Sequence, residues 1–296
     1  MRVLVFGAGS LGSLVGGLLA RAHDVTLVGR DPHAERVRER GLRVEGAHSF
    51  RVEPAATTTV PDERFDLALV TVKAFDTDAA AEALSTAGLD AVLSLQNGLG
   101  NEKRLRDGLD CPVLAGTCTY GARLTGPGRV ECTGRGEVAL GPPEGGRSSA
   151  ADSVGTAFRA AGVETTVAAD MPRRLWEKLA VNVGINGATA LARVENGALV
   201  DGPASETARR AAVETARVAR ERGVDLSDEA AADAVERVAE ATAANRSSML
   251  QDVESGDRTE VDAIHGAVVD RAEGAVPVTE TLAALLRAWE RDRGLR

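Results

Sequence analysis

Arg2-Val3-Leu4-Val5-Phe6-Gly7-Ala8-Gly9-Ser10-Leu11-Gly12 stands at the head of this chain, and its reading decides the fold. The first five residues are mostly apolar and read as a buried strand, and the pattern over residues 10–21 reads as a helix. Between them the glycines fit G-x-G-x-x-G, in the strand–turn–helix setting that gives this otherwise weak motif its meaning. Gly7 permits the tight turn, Gly9 lets the backbone approach a pyrophosphate, and Gly12 allows helix and strand to pack closely. Ser10 and Leu11 begin the helix, whose N-terminus faces the anion. The turn is read as a dinucleotide site rather than a merely glycine-rich bend.

Outward from this turn, residues 24–28 read as a second strand that ends Val28-Gly29-Arg30-Asp31. An acidic residue at that position would hold the ribose 2′-hydroxyl of NAD, whereas Arg30 would pair with the 2′-phosphate of NADP. The reading favours NADP(H), with Asp31, one residue later, as the rival. Residues 67–72 and 91–95 read as two further buried strands with a helix over 76–87 between them. This alternation implies a parallel sheet covered by helices on both faces. Hairpin-like turns run through 129–141, a loop follows over 141–149, then a helix to about residue 161 and a strand near 163–167. From Pro172 onward the pattern becomes Ala-rich and helical over 173–191, 203–222, 227–244, 260–273 and 278–291. The expected class is α/β: a Rossmann-type doubly wound domain over residues 1–168, then an all-helical C-terminal domain over 169–296.

Composition narrows the function. A net charge of −9 argues against non-specific nucleic-acid binding. No signal-peptide pattern and no 18-residue apolar stretch is read, so the expectation is a cytoplasmic protein without a membrane partner. Cys111, Cys118 and Cys132 are odd in number and lack CxxC spacing, which suits reduced thiols better than a disulfide framework or a metal site. Of 35 basic residues only Lys73, Lys103 and Lys178 are lysines, leaving 32 arginines. In such a chain a lysine is a candidate for giving up a proton, which a guanidinium does not do, unless codon bias left it there at random. Oligomeric state is left open, a homodimer being compatible with the sequence.

The stretch Leu175-Trp176-Glu177-Lys178-Leu179-Ala180-Val181-Asn182-Val183-Gly184-Ile185-Asn186 is the most informative of the helical half. Lys178, Asn182 and Asn186 fall at i, i+4 and i+8 and stack on one helix face amid apolar neighbours. Amides and an ammonium in apolar surroundings need partners, so this seam is read as lining a cleft rather than facing solvent. Farther on, Ser248 with Gln251 and Thr259 with Asp262 both read as helix caps. Asn97-Gly98 reads as a turn at a strand's carboxyl end, where doubly wound folds bind ligands.

At these residues the chain resembles the ketopantoate reductase (2-dehydropantoate 2-reductase) family, from Gly7 to about His265. The resemblance is carried by Lys178-Leu179-x-x-Asn182-x-x-Ile185-Asn186, by Ser247-Ser248-Met249-Leu250-Gln251-Asp252 and by Thr259-Glu260-Val261-Asp262. Val72-Lys73-Ala74, Gln96-Asn97-Gly98 and the N-terminal glycines support it. The resemblance implies NADPH-dependent reduction of a small 2-oxo acid, ketopantoate, to pantoate on the route to coenzyme A. It implies that Lys178 is the general acid and that Glu260 holds the substrate's hydroxyl end. It further implies that Asn182, Asn186, Asn196 and Ser248 bind substrate, that Asn97 and Lys73 stand where cofactor and substrate meet, and that Arg30 contacts the 2′-phosphate. The four histidines, His23, His33, His48 and His265, are read as lying outside the seam, and Lys103, in a charged run over 101–106, as helix surface. Two departures bear on loop shape and fine specificity: Gly187 stands where the family has a proline, and residues 116–121 read GTCTYG rather than a threonine-rich run ending in histidine.

Overall fold

The computed structural model describes residues 1–296. The chain forms two compact units, one of Met1–Gln96 with Gly100–Met171, the other of Asn97–Leu99 with Pro172–Arg296.

The first unit is built on an eight-stranded sheet. Across it the strands run Thr165–Val167, Val138–Gly141, Val113–Cys118, Val92–Ser94, Leu67–Val70, Arg2–Phe6, Asp24–Val28 and Ala55–Thr57. All neighbours are parallel except Val113–Cys118 with Val138–Gly141. Side chains of a strand alternate between faces, and here both faces are apolar. Val3, Val5, Leu67, Leu69 and Leu93 enter one core with α1 (Ser10–Leu19). Leu4, Ala68, Val70 and Val92 enter a second core, on the opposite face. Helices α2 (His33–Arg40), α3 (Thr77–Leu84), α4 (Asn101–Gly108) and α5 (Ser149–Ala160) complete the covering layers.

A small sheet, of which the sequence reading has only the hairpin-like turns over 129–141, packs on α1: Gly121–Gly126, Arg129–Gly134, Leu42–Gly46 and Phe50–Val52, in that order. Its signal is there in Leu42-Arg43-Val44-Glu45, where Leu42 and Val44 point into the core. Charge on its other face, at Arg43 and Glu45, keeps the strand from standing out from a loop.

The second unit is helical: α6 (Met171–Ala192), α7 (Ser205–Glu221), α8 (Asp228–Ala241), α9 (Ser248–Ser255), α10 (Ala267–Val269) and α11 (Pro277–Asp292). Small residues make its core compact. Ala208, Ala211, Ala212, Ala216 and Ala219 of α7 are buried with Leu179 and Val183 of α6 and Val235 of α8. The helix expected over 260–273 is not continuous, because Asp262–Gly266 forms a π-helical turn that runs into the short α10. No helix is long and apolar enough to cross a membrane.

Candidate active site

In the first unit, the winding of the sheet places the glycine turn. From Arg2–Phe6 the chain adds Asp24–Val28 and Ala55–Thr57 on one side, then returns to lay Leu67–Val70 on the other. The carboxyl ends of Arg2–Phe6 and Leu67–Val70 thus flank the point where strand order reverses, which is where doubly wound sheets take their ligands. Gly7 and Thr71 follow directly, and the Thr71 hydroxyl donates to the Gly7 carbonyl at 2.8 Å.

The three glycines have separable steric reasons. Gly7 has φ +109°, and a Cβ there would sit 2.7 Å from Val72. A Cβ on Gly12 would collide with the Gly7 carbonyl oxygen and the Thr71 hydroxyl. Gly9 meets only the Gly7 carbonyl oxygen, at 4.0 Å, so open space lies beside it. Gly9 also caps α1, whose first turn carries no acidic residue, leaving the positive end of the helix uncompensated. Ser10 has a structural duty too: its Oγ accepts the Leu124 amide at 3.1 Å and ties α1 to the small sheet.

At the end of the second strand, Asp31 is engaged. Its Oδ1 accepts the Glu35 amide at 2.9 Å and lies 3.5 Å from Arg38. Arg30 is exposed and enters no ion pair. Lys73 is half-buried at the start of a 3₁₀ turn, Ala74–Asp76. Beneath that turn lies a buried polar network that sequence reasoning missed. Gln96 Nε2 donates to the Val72 carbonyl at 3.2 Å and to Thr77 Oγ1 at 2.8 Å, and Thr77 Oγ1 lies 3.0 Å from Asn101 Oδ1. The charged run over 101–106 is therefore not uniformly surface. Lys103 is exposed and pairs with Asp107 at 2.6 Å, but Asn101 and Glu102 are buried, and burial pushes the Glu102 carboxyl above the usual range.

In the second unit, Asn97 and Glu260 come together. Asn97 Nδ2 donates to Glu260 Oε2 at 3.1 Å, and the Leu99 amide donates to the Ala263 carbonyl at 3.3 Å. Gly98 between them has φ +85°, and a Cβ there would strike the Ala263 backbone. The close approach of residues 97–99 to the π-helical turn thus needs glycine.

Along α6, Lys178 and Asn182 are half-buried and Asn186 is buried, so burial of the seam deepens toward Asn186. The next residue shows where one of the histidines lies. His265 is wholly buried against α6, and a Cβ on Gly187 would lie 2.5 Å from its Nε2. The ring fits because residue 187 has no side chain. Neither ring nitrogen reaches a hydrogen-bond partner. Burial pushes its pKa down to about 4. The ring is neutral at pH 7 and supplies no charge to the seam.

Two further expectations change in detail. The cap of α9 is Ser247, not Ser248: Ser247 Oγ accepts the Leu250 amide at 3.1 Å and lies 2.7 Å from Thr189 Oγ1 of α6. Ser248 is exposed on the first turn, and Gln251 reaches back to the Arg246 carbonyl at 3.0 Å instead of closing a capping box. Asn196 sits in a separate 3₁₀ turn, Asn196–Leu199, where its Nδ2 donates to Thr242 at 2.9 Å and its Oδ1 is buried without a partner.

Comparison with known proteins gives matches in both units. The model of the ketopantoate reductase PanE/ApbA family matches residues 3–145, and the model of the family's C-terminal region matches residues 170–290. A 2-dehydropantoate 2-reductase of Halobacterium salinarum is 48% identical over 303 aligned positions, covering 99% of this chain and all of the relative. The crystal structure of a PanE/ApbA family ketopantoate reductase from Ralstonia eutropha JMP134 superposes with a TM-score of 0.90 at 34% identity, covering 99% of this chain and all of that one. A D-mandelate dehydrogenase solved with NADH and anilino(oxo)acetate shares the fold at a TM-score of 0.93 and 23% identity, over the full length of both chains. This chain belongs to the ketopantoate reductase family.

Proposed function

We propose, with membership of the ketopantoate reductase family as premise, that this protein is an NADPH-dependent 2-dehydropantoate 2-reductase of the cytoplasm, forming pantoate for coenzyme A synthesis. The single observation that carries the site reading is the Asn97–Glu260 hydrogen bond at 3.1 Å, which joins two motif residues 163 positions apart.

The residues fit a phosphorylated dinucleotide. The open space beside Gly9 and the uncompensated end of α1 suit a pyrophosphate. The exposed Arg30 suits a 2′-phosphate, while Asp31, bound to Arg38 and the Glu35 amide, is withdrawn from the role of ribose acceptor. When bound, the cofactor supplies the hydride that adds to C2 of the oxo acid. The protein must then meet the negative charge that grows on the carbonyl oxygen. Lys178 carries an ammonium that stabilises this oxygen and hands it a proton, so that carbonyl becomes hydroxyl. Glu260, oriented by Asn97, accepts a hydrogen bond from the substrate's own hydroxyl group, while Asn182 and Asn186 donate to its polar end. Lys73, on the turn braced by Gln96, stands by the cofactor.

A second reading, reduction of a different 2-oxo acid, draws on Gly187 and on the residues 116–121, where the chain departs from the family pattern. One experiment addresses both. Purified protein is given NADPH or NADH with 2-dehydropantoate, pyruvate, 2-oxoisovalerate and phenylglyoxylate, and absorbance at the nicotinamide band is followed. The expected result is highest kcat/KM with NADPH and 2-dehydropantoate. A preference for an oxo acid lacking the hydroxyl would replace the first reading by the second, and no oxidation of cofactor with any of them would overturn both.

A further inference from the structure

Glu290, near the end of α11, is wholly buried, and a carboxylate can rest there only if its oxygens are satisfied. They are. Oε1 accepts the Thr259 amide at 2.8 Å and the Thr259 hydroxyl at 2.6 Å, and Oε2 accepts Arg296 Nε at 2.8 Å. While donating to Glu290, the Thr259 hydroxyl accepts the Val261 amide at 3.2 Å. The residues immediately before and after Glu260 are thus fixed through one buried carboxylate. Asp262 is held as well, by Arg287 at 2.9 Å and by Arg296. The far end of α11 is anchored independently: Glu214 of α7 accepts the Val278 and Thr279 amides and the Thr279 hydroxyl at 2.7–3.0 Å. A helix pinned at both ends is a rigid bar, and Glu290 is the point at which it grips the segment carrying Glu260.

We propose that Glu290, acting through Thr259, is a positioning residue that fixes the backbone of Glu260 for substrate binding. The proposal rests on the reading of Glu260 given above, and it assigns no chemical role to Glu290 itself. Charge-assisted bonds to backbone and hydroxyl donors are short and directional, so the carboxylate sets the angle at which residue 260 leaves the chain. Small displacements of a binding group are costly to turnover even when the fold is intact.

The test uses Glu290→Gln, which turns one acceptor oxygen into a donor, and Thr259→Val, which removes only the hydroxyl and serves if the buried substitution fails to fold. Thr259→Ser is the conservative rescue. Expected in Thr259→Val is a rise of about tenfold or more in KM for 2-dehydropantoate, with NADPH affinity within about twofold of wild type and recovery in Thr259→Ser. Hydrogen–deuterium exchange of the amides of residues 259–264 should quicken in both disruptive variants and not in the rescue. Wild-type KM and kcat in Thr259→Val, with unchanged exchange over 259–264, would overturn the proposal. Should the wild-type protein reduce no 2-oxo acid, the reading of Glu260 fails. The exchange experiment still decides whether Glu290 holds the segment.

Discussion

The glycine turn of the first unit and the polar seam of the second are organised in opposite ways. Around Gly7, Gly9 and Gly12, every steric requirement is met within a few residues or by the adjoining Thr71–Val72. Around Glu260, nothing is local. Its partner Asn97 is 163 positions away, and the carboxylate that grips Thr259 lies 31 positions on. A compact site of the first kind is sensitive to changes in its own turn and in the one adjoining segment, Thr71–Val72. A distributed site of the second kind can be disturbed from far along the chain, by residues that never meet the ligand.

The largest expected effect tests whether the second region holds the chemistry. Lys178→Ala should lower kcat by about 10²–10⁴-fold, the usual worth of a positioned general acid. NADPH affinity should stay unchanged, because the proposed pyrophosphate and 2′-phosphate contacts, at Gly9 and Arg30, lie in the first unit. Rapid-quench turnover and fluorescence titration of NADPH separate the two, and near-normal kcat would remove Lys178 from its role. Next, Gly12→Val should break the compact site alone. A side chain there strikes the Gly7 carbonyl and Thr71, so stability should fall by about 1–3 kcal/mol, with NADPH binding lost in parallel. Urea unfolding checks the first and titration the second.

His265 sharpens the contrast through pH. Its folded pKa of about 4 lies below the ordinary 6.5, so between these values the unfolded chain binds a proton that the folded chain refuses. The contribution is whole above about pH 6.5 and declines as pH falls, the loss amounting to roughly 2 kcal/mol by pH 5. In His265→Leu, the loss of stability between pH 7.5 and pH 5, read by urea unfolding, should be smaller than in wild type. An equal loss would mean that the ring is charged or exposed in the fold. For Arg30→Ala, NADPH affinity should fall by roughly tenfold and NADH affinity hardly at all, as expected for one charge-assisted phosphate contact. Equal losses for both cofactors would remove the phosphate contact. Smallest of all, Lys103→Ala removes an exposed i,i+4 pair with Asp107, and neither melting temperature nor kcat/KM should move measurably.

How far each region could be read from sequence follows from the same difference. The turn was legible because its glycines act through sterics that repeat at fixed spacing, and the strands of the large sheet because both their faces are apolar. The seam on α6 was legible as a pattern, since three polar residues at helical spacing amid apolar ones need only the period of a helix. Its surroundings were not. Choosing Ser247 over Ser248 as the cap depends on Thr189, 58 positions earlier, and two adjacent serines offer no local way to decide. The place of His265 depends on the missing side chain at Gly187, and Glu290 looked like any other acid on an amphipathic helix. The small sheet escaped because its strands bury at most one side, the other carrying charges such as Arg43, Glu45, Arg123 and Glu131.

One consequence follows from the excursion at residues 97–99. Although they lie in the middle of the first unit's sequence, they pack with the second, which is therefore not a continuous piece of chain. A fragment cut at Pro172 would carry Glu260 yet leave behind the amide that orients it. Anyone recombining halves of such reductases at that obvious seam would be exchanging the owner of Asn97 as well. Chimaeras should instead transplant the tripeptide together with the helices it serves.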